Sequence, residues 1–565
     1  MEDSKEDKHA RASRERQAQV DEIKSSPAGK KIVIGGPGTG KTHLFKSILE
    51  GKRNPITLTF VNALVEDLSL ELFGLSEVRT LHGFARAAFK EASGRRVRVF
   101  PKLSRVIRDD AEILLGKDID FDELFYNRDD NNEHLKFYKR RKDYYDYYGY
   151  ADIVFAAVKY FEKKRDKVPT FDQVLVDEFQ DFNRLEVSLI DLLAERSPIL
   201  LAGDDDQALY ESLKSASPKY IRHRHRDRTS GYEPFHLSYC SRCTRVIVKA
   251  SDDIITAAIE DGYLAERLKK PFHYFDHPDK DQECACHPHI IYSQVYPRRI
   301  PWFIQDQIGK IAEEERGRFG VLIISPARAQ CSSIVTALEG KGFANVQYAE
   351  KKAAMELTLL DGLKLLLEDK DSNLGWRLVA QKLYSATKFQ ALLRKTDKGS
   401  EEMAFQDLVG ADEKRDVKKM LTTLRGVRDG KKGLQEEQIV EVLSQVGIDA
   451  LSVATGSLKD ELKSRQQHFA RAGIRKIPIK AATVHGSKGL DADYVFITHL
   501  DDRYFIKATD KSKISDQDIC NFVVALTRAR KKVFLISSVT TKRPTFLKWI
   551  KDKRIQCLGM SDEGD

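Results

Sequence analysis

Near the amino terminus the sequence reads Lys31-Ile32-Val33-Ile34-Gly35-Gly36-Pro37-Gly38-Thr39-Gly40-Lys41-Thr42. The β-branched run predicts a strand, and the residues after the glycines predict an amphipathic helix that extends through Leu49. The turn between them fits the pattern G-x-x-x-x-G-K-[ST], in which backbone N–H groups surround a phosphate at the amino end of a helix. A glycine-rich turn without a ligand is the alternative, and the flanking strand and helix make it the weaker one.

This turn predicts a site for a nucleotide and its magnesium ion. Glycine lets the backbone curl around the β-phosphate, and the amino end of the following helix favours negative charge. We expect Lys41 to reach the β- and γ-phosphate oxygens and the hydroxyl of Thr42 to bind Mg²⁺. The predicted nucleotide-binding residues of the turn are Gly35, Gly36, Pro37, Gly38, Thr39, Gly40, Lys41 and Thr42.

Two later apolar segments each end in a group of polar side chains. They read Val174-Leu175-Val176-Asp177-Glu178-Phe179-Gln180-Asp181 and Leu201-Ala202-Gly203-Asp204-Asp205-Asp206-Gln207. Ligands of an open α/β sheet sit at the carboxyl ends of its strands, so these groups predict one shared site. We expect Asp177 to hold Mg²⁺ and Glu178 to polarise an attacking water. Gln180 and Gln207 would lie near the γ-phosphate, and an exposed acidic turn is the alternative.

The rest of the chain repeats the alternation of strand and helix that is typical of parallel sheets covered by helices. Pro55 to Asn62 predicts a second strand, and Phe319 to Ser325 opens a second α/β unit, which strands at Lys480–His485 and Lys532–Ser537 resume. Residues 1–30 form a charged lead-in, partly helical or disordered. Residues of about 93–165 are rich in charge and tyrosine and contain few clear strands, and those of about 351–470 show helical spacing, so both stretches predict helical insertions.

Composition sets wide limits on function. At 565 residues the chain should hold several domains. Its net charge of +9 is compatible with a polyanion partner and equally with an ordinary solvated surface. No stretch approaches the roughly 20 apolar residues of a membrane span. The charged residues 1–24 lack the apolar core of a signal peptide, and seven unpatterned cysteines fit a reducing compartment, so we expect a cytoplasmic protein.

A series of short segments follows one order along the chain, namely Gly35–Thr42, Thr57–Asn62, Thr80–Ala85, Asp177–Asp181, Gly203–Tyr210, Leu237–Ile247, Thr483–Asp491 and Val524–Arg530. These segments resemble motifs I, Ia, Ib, II, III, IV, V and VI of superfamily 1 helicases of the UvrD/Rep/PcrA type. The resemblance extends over about residues 20–540. It implies an α/β fold of two RecA-like P-loop NTPase domains with parallel sheets, each carrying a mainly helical insertion. ATP would bind in the cleft between the domains, with single-stranded DNA across the top.

The resemblance also implies domain limits and residue roles. Domain 1A would cover 1–92 and 166–250 with insertion 1B at 93–165, and domain 2A would cover 251–350 and 471–565 with insertion 2B at 351–470. Arg242 and Arg528 would act as arginine fingers, because guanidinium stabilises charge that spreads over the phosphoryl oxygens. Further nucleotide-binding residues would be Gln19 (or Gln17) on adenine, Gly489 and Asp491. The residues facing DNA would be Phe60, Asn62, Thr80, His82 and His485.

The chain departs from the family pattern at positions that concern DNA and adenine. Leu213 and Lys214 stand where an aromatic residue and an arginine usually follow the tyrosine of motif III, here Tyr210. Ser241 replaces the tyrosine directly before Arg242, and Tyr239 is displaced by two positions. Asp491 replaces a glutamate, and Cys520 and Asn521 stand where motif VI usually has an upstream arginine. ATP hydrolysis is therefore better supported than processive unwinding.

Two functions remain open on these grounds. The first is an ATP-dependent translocase or helicase that acts on single-stranded DNA or tailed duplex DNA in the 3′ to 5′ direction. The second is a nucleic-acid-sensing regulatory ATPase that controls a partner nuclease in DNA repair or antiphage defence. A small-molecule kinase is a third and weaker interpretation, because it would not need motifs III, V and VI.

Two other groups of residues have alternative interpretations. Cys240 and Cys243, with Cys284-x-Cys286-His287-Pro288-His289, predict either a zinc site or unliganded thiols, and their spacing favours thiols. The basic run at 137–142 leads into a tyrosine-rich stretch up to Tyr150. That composition suits single-stranded nucleic acid and also suits a helix that packs its tyrosines, which we favour for most of them.

Overall fold

The computed structural model describes residues 3–60, 62–208, 215–315, 317–348, 356–397, 403–428, 477–506, 514–539 and 541–558. Its internal contacts divide the chain into two compact units. The first comprises Met1–Phe84, Phe161–Lys351 and Ala472–Asp565, and the second comprises Ala85–Tyr160 and Lys352–Arg471. None of the helices in the described part of the chain has the length and apolar character needed to cross a membrane.

The strands are β1 (Lys30–Gly35), β2 (Pro55–Thr59), β3 (Glu77–Thr80), β4 (Gln173–Val176), β5 (Ile199–Gly203), β6 (Glu233–Leu237), β7 (Tyr239–Cys240), β8 (His273–Tyr274), β9 (Ile290–Val295), β10 (Val321–Ser325), β11 (Val346–Tyr348), β12 (Ile479–Thr483), β13 (Ala492–Ile497), β14 (Ala529–Ser538) and β15 (Ile555–Leu558).

The helices of the first unit are α1 (Asp3–Ser25), α2 (Lys41–Leu49), α3 (Asn62–Glu71), α9 (Arg184–Ala194), α10 (Lys219–Arg226), α11 (Arg245–Glu260), α12 (Pro278–Cys286), α13 (Ile300–Glu314), α14 (Arg328–Gly340), α20 (Asp502–Phe505), α21 (Asp516–Leu526) and α22 (Thr545–Lys548). Two helices, α4 (Leu81–Ser93) and α8 (Tyr150–Lys163), have residues in both units and most of their length in the second. The second unit contains α5 (Leu103–Leu115), α6 (Phe121–Tyr126), α7 (His134–Tyr145), α15 (Leu359–Glu368), α16 (Asn373–Leu383), α17 (Ala386–Lys395), α18 (Phe405–Leu408) and α19 (Ala411–Arg428).

The first unit contains a sheet of six parallel strands in the order β3-β2-β4-β5-β1-β6. Strands β4 and β5 are buried along their whole length, as expected where helices cover both faces of a sheet. The register sets Ile34 of β1 opposite Gly203 of β5, and Val176 of β4 opposite Leu201 of β5. The glycine-rich turn and the two acidic segments therefore follow neighbouring strands at one carboxyl edge.

A second sheet in the same unit contains seven parallel strands in the order β11-β12-β10-β13-β14-β9-β15. Strand β10 in the interior of this sheet is buried at every position, and apolar clusters cover both faces of the sheet. The segments predicted to begin and resume a second α/β unit form β10, β12 and β14, so the predicted α/β fold with two parallel sheets is confirmed.

The charged lead-in is more ordered than its composition indicates. It forms helix α1, in which Val20 and Ile23 are buried against the core of the first sheet. The second predicted strand is shorter than expected, because β2 ends at Thr59 and α3 begins at Asn62. The transition places Phe60 at the carboxyl edge of the sheet.

In its described residues the second unit is helical, with an apolar core that α15 to α19 share with Ile113 and Leu114 of α5. A charged group is buried beside it. The Asp110 carboxylate lies 3.0 Å from the Arg141 guanidinium and 2.9 Å from that of Arg377, and accepts a hydrogen bond from Tyr145 Oη at 2.6 Å. Burial alone would raise the pKa of Asp110, but Arg377 and Arg141 outweigh it and lower that pKa.

Candidate nucleotide-binding site

A cavity of about 780 Å³ opens beside the glycine-rich turn in the first unit. It brings together residues from the ends of β1, β4 and β5 with residues that precede β13 and β14. The predicted residues that line it are Pro37, Gly38, Thr39, Gly40, Lys41, Thr42, Asp177, Glu178, Gln207, Arg242, Gly489, Asp491 and Arg528. Gly35, Gly36 and Gln19 do not line the cavity.

The glycine-rich turn needs glycine for two separate reasons. Gly38 and Gly40 have φ angles of 68° and 91°, a region of backbone conformation that other residues rarely adopt. In addition, a Cβ atom on Gly38 would lie 2.3 Å from Cβ of Arg242. The backbone N–H of Ser241 donates to the Gly38 carbonyl at 3.0 Å, and Lys41 Nζ donates to the Gly35 carbonyl at 3.1 Å. The turn is thus held directly against the segment that carries Arg242.

Asp177 and Glu178 follow β4, and their pKa values are shifted in opposite directions. Burial, and then the charge of Glu178, raises the pKa of Asp177. For Glu178 the attraction of Lys488 and Lys41 outweighs burial and lowers the pKa. Glu178 also accepts a hydrogen bond from Gln180 Nε2 at 2.5 Å and adopts a left-handed backbone with φ of 54°. Glu178 therefore carries its negative charge at neutral pH, as a water-activating group requires.

Asp177 and Thr42 fit the predicted magnesium site. Both side chains line the cavity, and Oδ1 of Asp177 is buried without a hydrogen-bond partner in the described part of the chain. A buried carboxylate oxygen without a partner is costly unless something binds it. A divalent cation would also offset the repulsion that raises the pKa of Asp177. The donor set of a carboxylate and a hydroxyl is the one that Mg²⁺ prefers.

Gln207 connects the first sheet with Arg528 at the start of β14. Its Nε2 donates to Asp204 Oδ2 at 2.7 Å, and its Oε1 accepts from Arg528 Nη2 at 2.9 Å. Its backbone carbonyl accepts from Lys488 Nζ at 2.8 Å. Burial, followed by repulsion from Arg242, lowers the pKa of Arg528 to about 10. Both predicted arginine fingers therefore lie at the cavity, and one of them is joined to Gln207.

Three acidic residues after β5 surround one buried ammonium group. Lys270 Nζ pairs with Asp204, and it lies 2.6 Å from Asp205 and 2.9 Å from Asp206. Arg267 and Arg222 add bonds to Asp206 and Asp205 at 2.9 and 3.0 Å. The three carboxylates are close enough to share a metal ion, but Lys270, Arg267 and Arg222 already pair with them. Asp204 thus joins Lys270 to Gln207.

Sequence reasoning missed Lys270 and gave Lys488 no role. Lys488 lies within the segment assigned to motif V, where its position directly before Gly489 was the only signal. In the structure its Nζ pairs with buried Asp181 and lies 3.7 Å from Glu178. Lys270 stands in a stretch that carries no motif, so nothing in the sequence marked it.

The predicted adenine-reading glutamine is engaged elsewhere in the protein. Gln19 Nε2 donates to Ser238 Oγ, and Gln19 Oε1 accepts from the Ser238 N–H, both at 3.1 Å. Its neighbour on α1, Arg16, lies 4.8 Å above the Phe275 ring and reaches within 2.9 Å of the position of a Cβ on Gly40. Helix α1 therefore runs beside the glycine-rich turn, with Arg16 nearer to it than Gln19.

The residues predicted to face DNA lie at carboxyl ends of strands in both sheets. Phe60 is only 6 % exposed and packs edge-on against Phe182, so the structure places it in the interior. Thr80 Oγ1 accepts from the Gly83 N–H at 3.1 Å, and His82 lies 3.7 Å from Glu186. Asn62 begins α3, and His485 begins a short 3₁₀ turn after β12.

Comparison with known proteins agrees with this arrangement. The family model described as UvrD/REP helicase N-terminal domain matches residues 117–228, and the one described as UvrD-like helicase C-terminal domain matches residues 304–540. The chain belongs to the UvrD/Rep helicase family. The predicted family membership, and with it the fold of two RecA-like domains, is confirmed.

Individual relatives of this UvrD/Rep-family chain are distant. A probable DNA helicase II homolog from Mycoplasma pneumoniae is 21 % identical over 90 % of this chain and 82 % of its own length. The DNA helicase II of Haemophilus influenzae is 23 % identical over 41 % of this chain and 39 % of its own. A putative ATP-dependent DNA helicase, YjcD, from Bacillus subtilis is 27 % identical over 21 % of this chain, and the match spans 16 % of that relative.

Some positions of the family pattern fall outside the described residues. Tyr210, Leu213 and Lys214, which concern DNA stacking in the UvrD/Rep family, lie outside the described residues.

Cys240, Cys243 and Cys284 are buried thiols of one apolar cluster. Within the described ranges, the only group of three or more acidic, histidine or cysteine side chains close enough to share a metal is the one around Lys270. The thiol interpretation therefore fits better than zinc.

Proposed function

We propose that this chain is an ATP-dependent translocase or helicase that moves along single-stranded DNA in the 3′ to 5′ direction and accepts tailed duplex DNA. The observation that carries the proposal is the cavity. It brings a P-loop lysine, a carboxylate pair and a glutamine at the edge of the first sheet together with two arginines, one of which directly precedes a strand of the second sheet. Membership of a DNA helicase family supports it. The predicted limits of domains 1A, 1B, 2A and 2B are part of this proposal.

The side chains of the cavity divide the work of hydrolysis. Glu178 is ionised and accepts the proton of a water whose oxygen attacks the γ-phosphorus, while the bond from that phosphorus to the β–γ bridging oxygen breaks. Lys41, Arg242 and Arg528 neutralise charge that spreads over the phosphoryl oxygens. Mg²⁺, held by Thr42 and Asp177, would neutralise further phosphate charge when bound.

Gln207 is proposed to couple hydrolysis to movement. Its side-chain amide accepts a hydrogen bond from Arg528, directly before β14 of the second sheet, at 2.9 Å. The same amide donates to Asp204, directly after β5 of the first sheet, at 2.7 Å. A change at the γ-phosphate would therefore alter a contact between the two sheets. Closure of the cavity on ATP and its reopening after hydrolysis would shift the grip on the strand by one step.

Two substitutions test the proposal directly. Lys41→Ala and Glu178→Gln should each lower ATP turnover, measured with single-stranded DNA present, by at least about 100-fold. Glu71→Gln is the matched control, because Glu71 lines the same cavity but is exposed and pairs with Lys46. Turnover that survives in pure Glu178→Gln protein would refute the assignment. Duplexes with a 3′ or a 5′ tail, offered separately, test the direction of movement.

A second candidate function is a nucleic-acid-sensing ATPase that controls a partner nuclease in DNA repair or antiphage defence. The burial of Phe60 favours it, since a buried ring offers no platform for a base. A tailed-duplex assay separates the two candidates. Strand separation by the isolated chain supports the motor, and DNA-stimulated hydrolysis without separation supports the sensor.

A further inference from the structure

An exposed surface at the carboxyl end of β9 combines two aromatic rings with two arginines. Tyr296 directly follows β9, a 3₁₀ turn covers Pro297–Arg299, and α13 begins at Ile300. Tyr296 and Trp302 are each 49 % exposed, which is high for rings of this size. In the described part of the chain neither ring stacks against another aromatic ring. We call Tyr296, Arg298, Arg299 and Trp302 the β9 surface.

The β9 surface carries positive charge that no acidic side chain in the described part of the chain pairs with. Arg298 and Arg299 are both exposed, and neither forms an ion pair with a carboxylate of the described ranges. The adjoining loop after β14 adds exposed Lys542, since the Thr541 carbonyl accepts a hydrogen bond from Gln294 of β9 at 3.3 Å. By contrast, the neighbouring Arg543 pairs with Asp552 at 2.9 Å. Unpaired guanidinium groups beside open rings indicate an anionic partner with flat, stackable groups.

The position of the surface favours a nucleic-acid strand over other anions. All strands of the second sheet are parallel, so β9 and β12 present their carboxyl ends at one edge. His485, predicted to face DNA, follows β12 at that same edge. Four strand spacings separate β12 from β9, or about 19 Å. A strand that passes His485 can therefore continue along the edge to the β9 surface.

We propose that the β9 surface is an accessory binding site for single-stranded nucleic acid. Tyr296 and Trp302 stack on bases, and Arg298 and Arg299 neutralise phosphates, without reading sequence. The inference rests on the proposed function for the identity of the strand, which would be the one that the ATPase moves along. No residue of the β9 surface lines the nucleotide cavity.

Tryptophan fluorescence tests the stacking contact. The chain has three tryptophans, of which Trp376 is buried and Trp549 half-buried, so Trp302 is the one open to a base. Titration with an oligothymidylate should quench the emission of the full chain, and Trp302→Phe should remove most of that quenching. Trp549→Phe is the control and should keep it. Equal quenching in the wild-type chain and Trp302→Phe would overturn the proposal.

Salt dependence tests the arginines. In the double variant Arg298→Gln/Arg299→Gln, the slope of log affinity against log salt concentration should become shallower by about 1.4, because each phosphate contact on a single strand contributes about 0.7. The matched control is Arg318→Gln/Lys341→Gln. Both of its residues are exposed at the opposite, amino edge of the sheet, Arg318 before β10 and Lys341 after α14. An unchanged slope in the first variant would refute the proposal.

Further measurements distinguish nucleic acid from other anionic partners, and distinguish a failure of this proposal from a failure of the proposed function. If the Arg298→Gln/Arg299→Gln variant loses binding to anionic vesicles or to a polyglutamate peptide but keeps its oligothymidylate affinity, the surface serves that partner and the proposal fails. ATP turnover without nucleic acid should be the same in all these variants. If the wild-type chain hydrolyses no ATP but is quenched through Trp302, the proposed function fails and the surface stands.

Discussion

At the scale of single residues, the pKa values of the neighbouring acids Glu178 and Asp177 are shifted in opposite directions by their different surroundings. Both are buried acids at the end of β4, but only Glu178 faces the ammonium groups of Lys488 and Lys41 strongly enough to lower its pKa. Asp177 keeps an unpartnered oxygen at the cavity instead. This difference suits the roles proposed above, with Glu178 as the group that activates water and Asp177 as a ligand of the cation.

Replacing Lys488 by methionine should shift the pH dependence of hydrolysis. Lys488 is the strongest influence that lowers the pKa of Glu178, so its loss raises that pKa. The proposed mechanism needs ionised Glu178, so activity should fall as the pH drops through this pKa. The acid limb of the profile of kcat against pH should therefore move toward neutral pH. Lys280→Met is the control, because Lys280 also lines the cavity but pairs with Glu283. Coincident acid limbs in wild type and Lys488→Met would contradict this role.

Lys270→Met should affect both stability and turnover. The change leaves three buried carboxylates without their shared ammonium, which we expect to lower the free energy of unfolding by about 3–5 kcal/mol. It also loosens Asp204, which holds Gln207, so kcat should fall more than the KM for ATP rises. The adjacent, exposed Lys269→Met is the control. Urea unfolding and steady-state kinetics measure the two effects, and a Lys270→Met protein equal to Lys269→Met in both would refute them.

At the scale of elements, local patterns predicted most of the residues that line the cavity. The strand–turn–helix of Lys31–Leu49 and the acidic ends of β4 and β5 can be found from the sequence because each is set by neighbours in the chain. Partners distant in sequence could not be predicted. Gln19 is held by Ser238, 219 residues away, and Asp110 pairs with Arg377, 267 residues away. Such pairs depend on how the elements pack, which no local pattern encodes.

A glycine-to-alanine substitution, which adds one methyl group, tests the role of the turn before α2. Gly38→Ala places Cβ 2.3 Å from Cβ of Arg242, so the turn and the Arg242 segment must separate. Gly51→Ala is the matched control, because Gly51 has a similar φ of 75° but nothing within 4 Å of its Cβ position. Both variants carry the backbone cost of about 1–2 kcal/mol, and only Gly38→Ala should also lose nucleotide affinity. Binding of a fluorescent ADP analogue measures the difference, and equal affinities would contradict the expected clash.

At the scale of the whole molecule, the chain builds its two compact units from interleaved segments. The second unit joins Ala85–Tyr160 to Lys352–Arg471, and the buried Asp110 lies where the two segments meet. The charge of Asp110 satisfies Arg141 of its own segment and Arg377 of the other. The two helical insertions predicted from the sequence therefore share one interior in this protein.

Asp110→Asn should destabilise this unit by about 3–5 kcal/mol, because it leaves two buried guanidinium groups poorly paired. The lowered pKa of Asp110 adds a pH dependence. Its contribution to stability is present above the unfolded pKa near 3.8 and is lost as the pH falls through the lower folded value. Hydrogen exchange of the amides in α5 and α16 measures the effect, with Asp109→Asn as the neighbouring control. Equal protection in both variants would refute it.

The buried position of Asp110 also constrains how the protein is made. Translation at about 5–20 residues per second adds Arg377 roughly 13–53 s after Asp110, since 267 residues separate them. During that interval the nascent chain holds Asp110 and Arg141 without their third partner. The buried charge group of Ala85–Tyr160 therefore cannot be completed before Arg377 has been added to the chain.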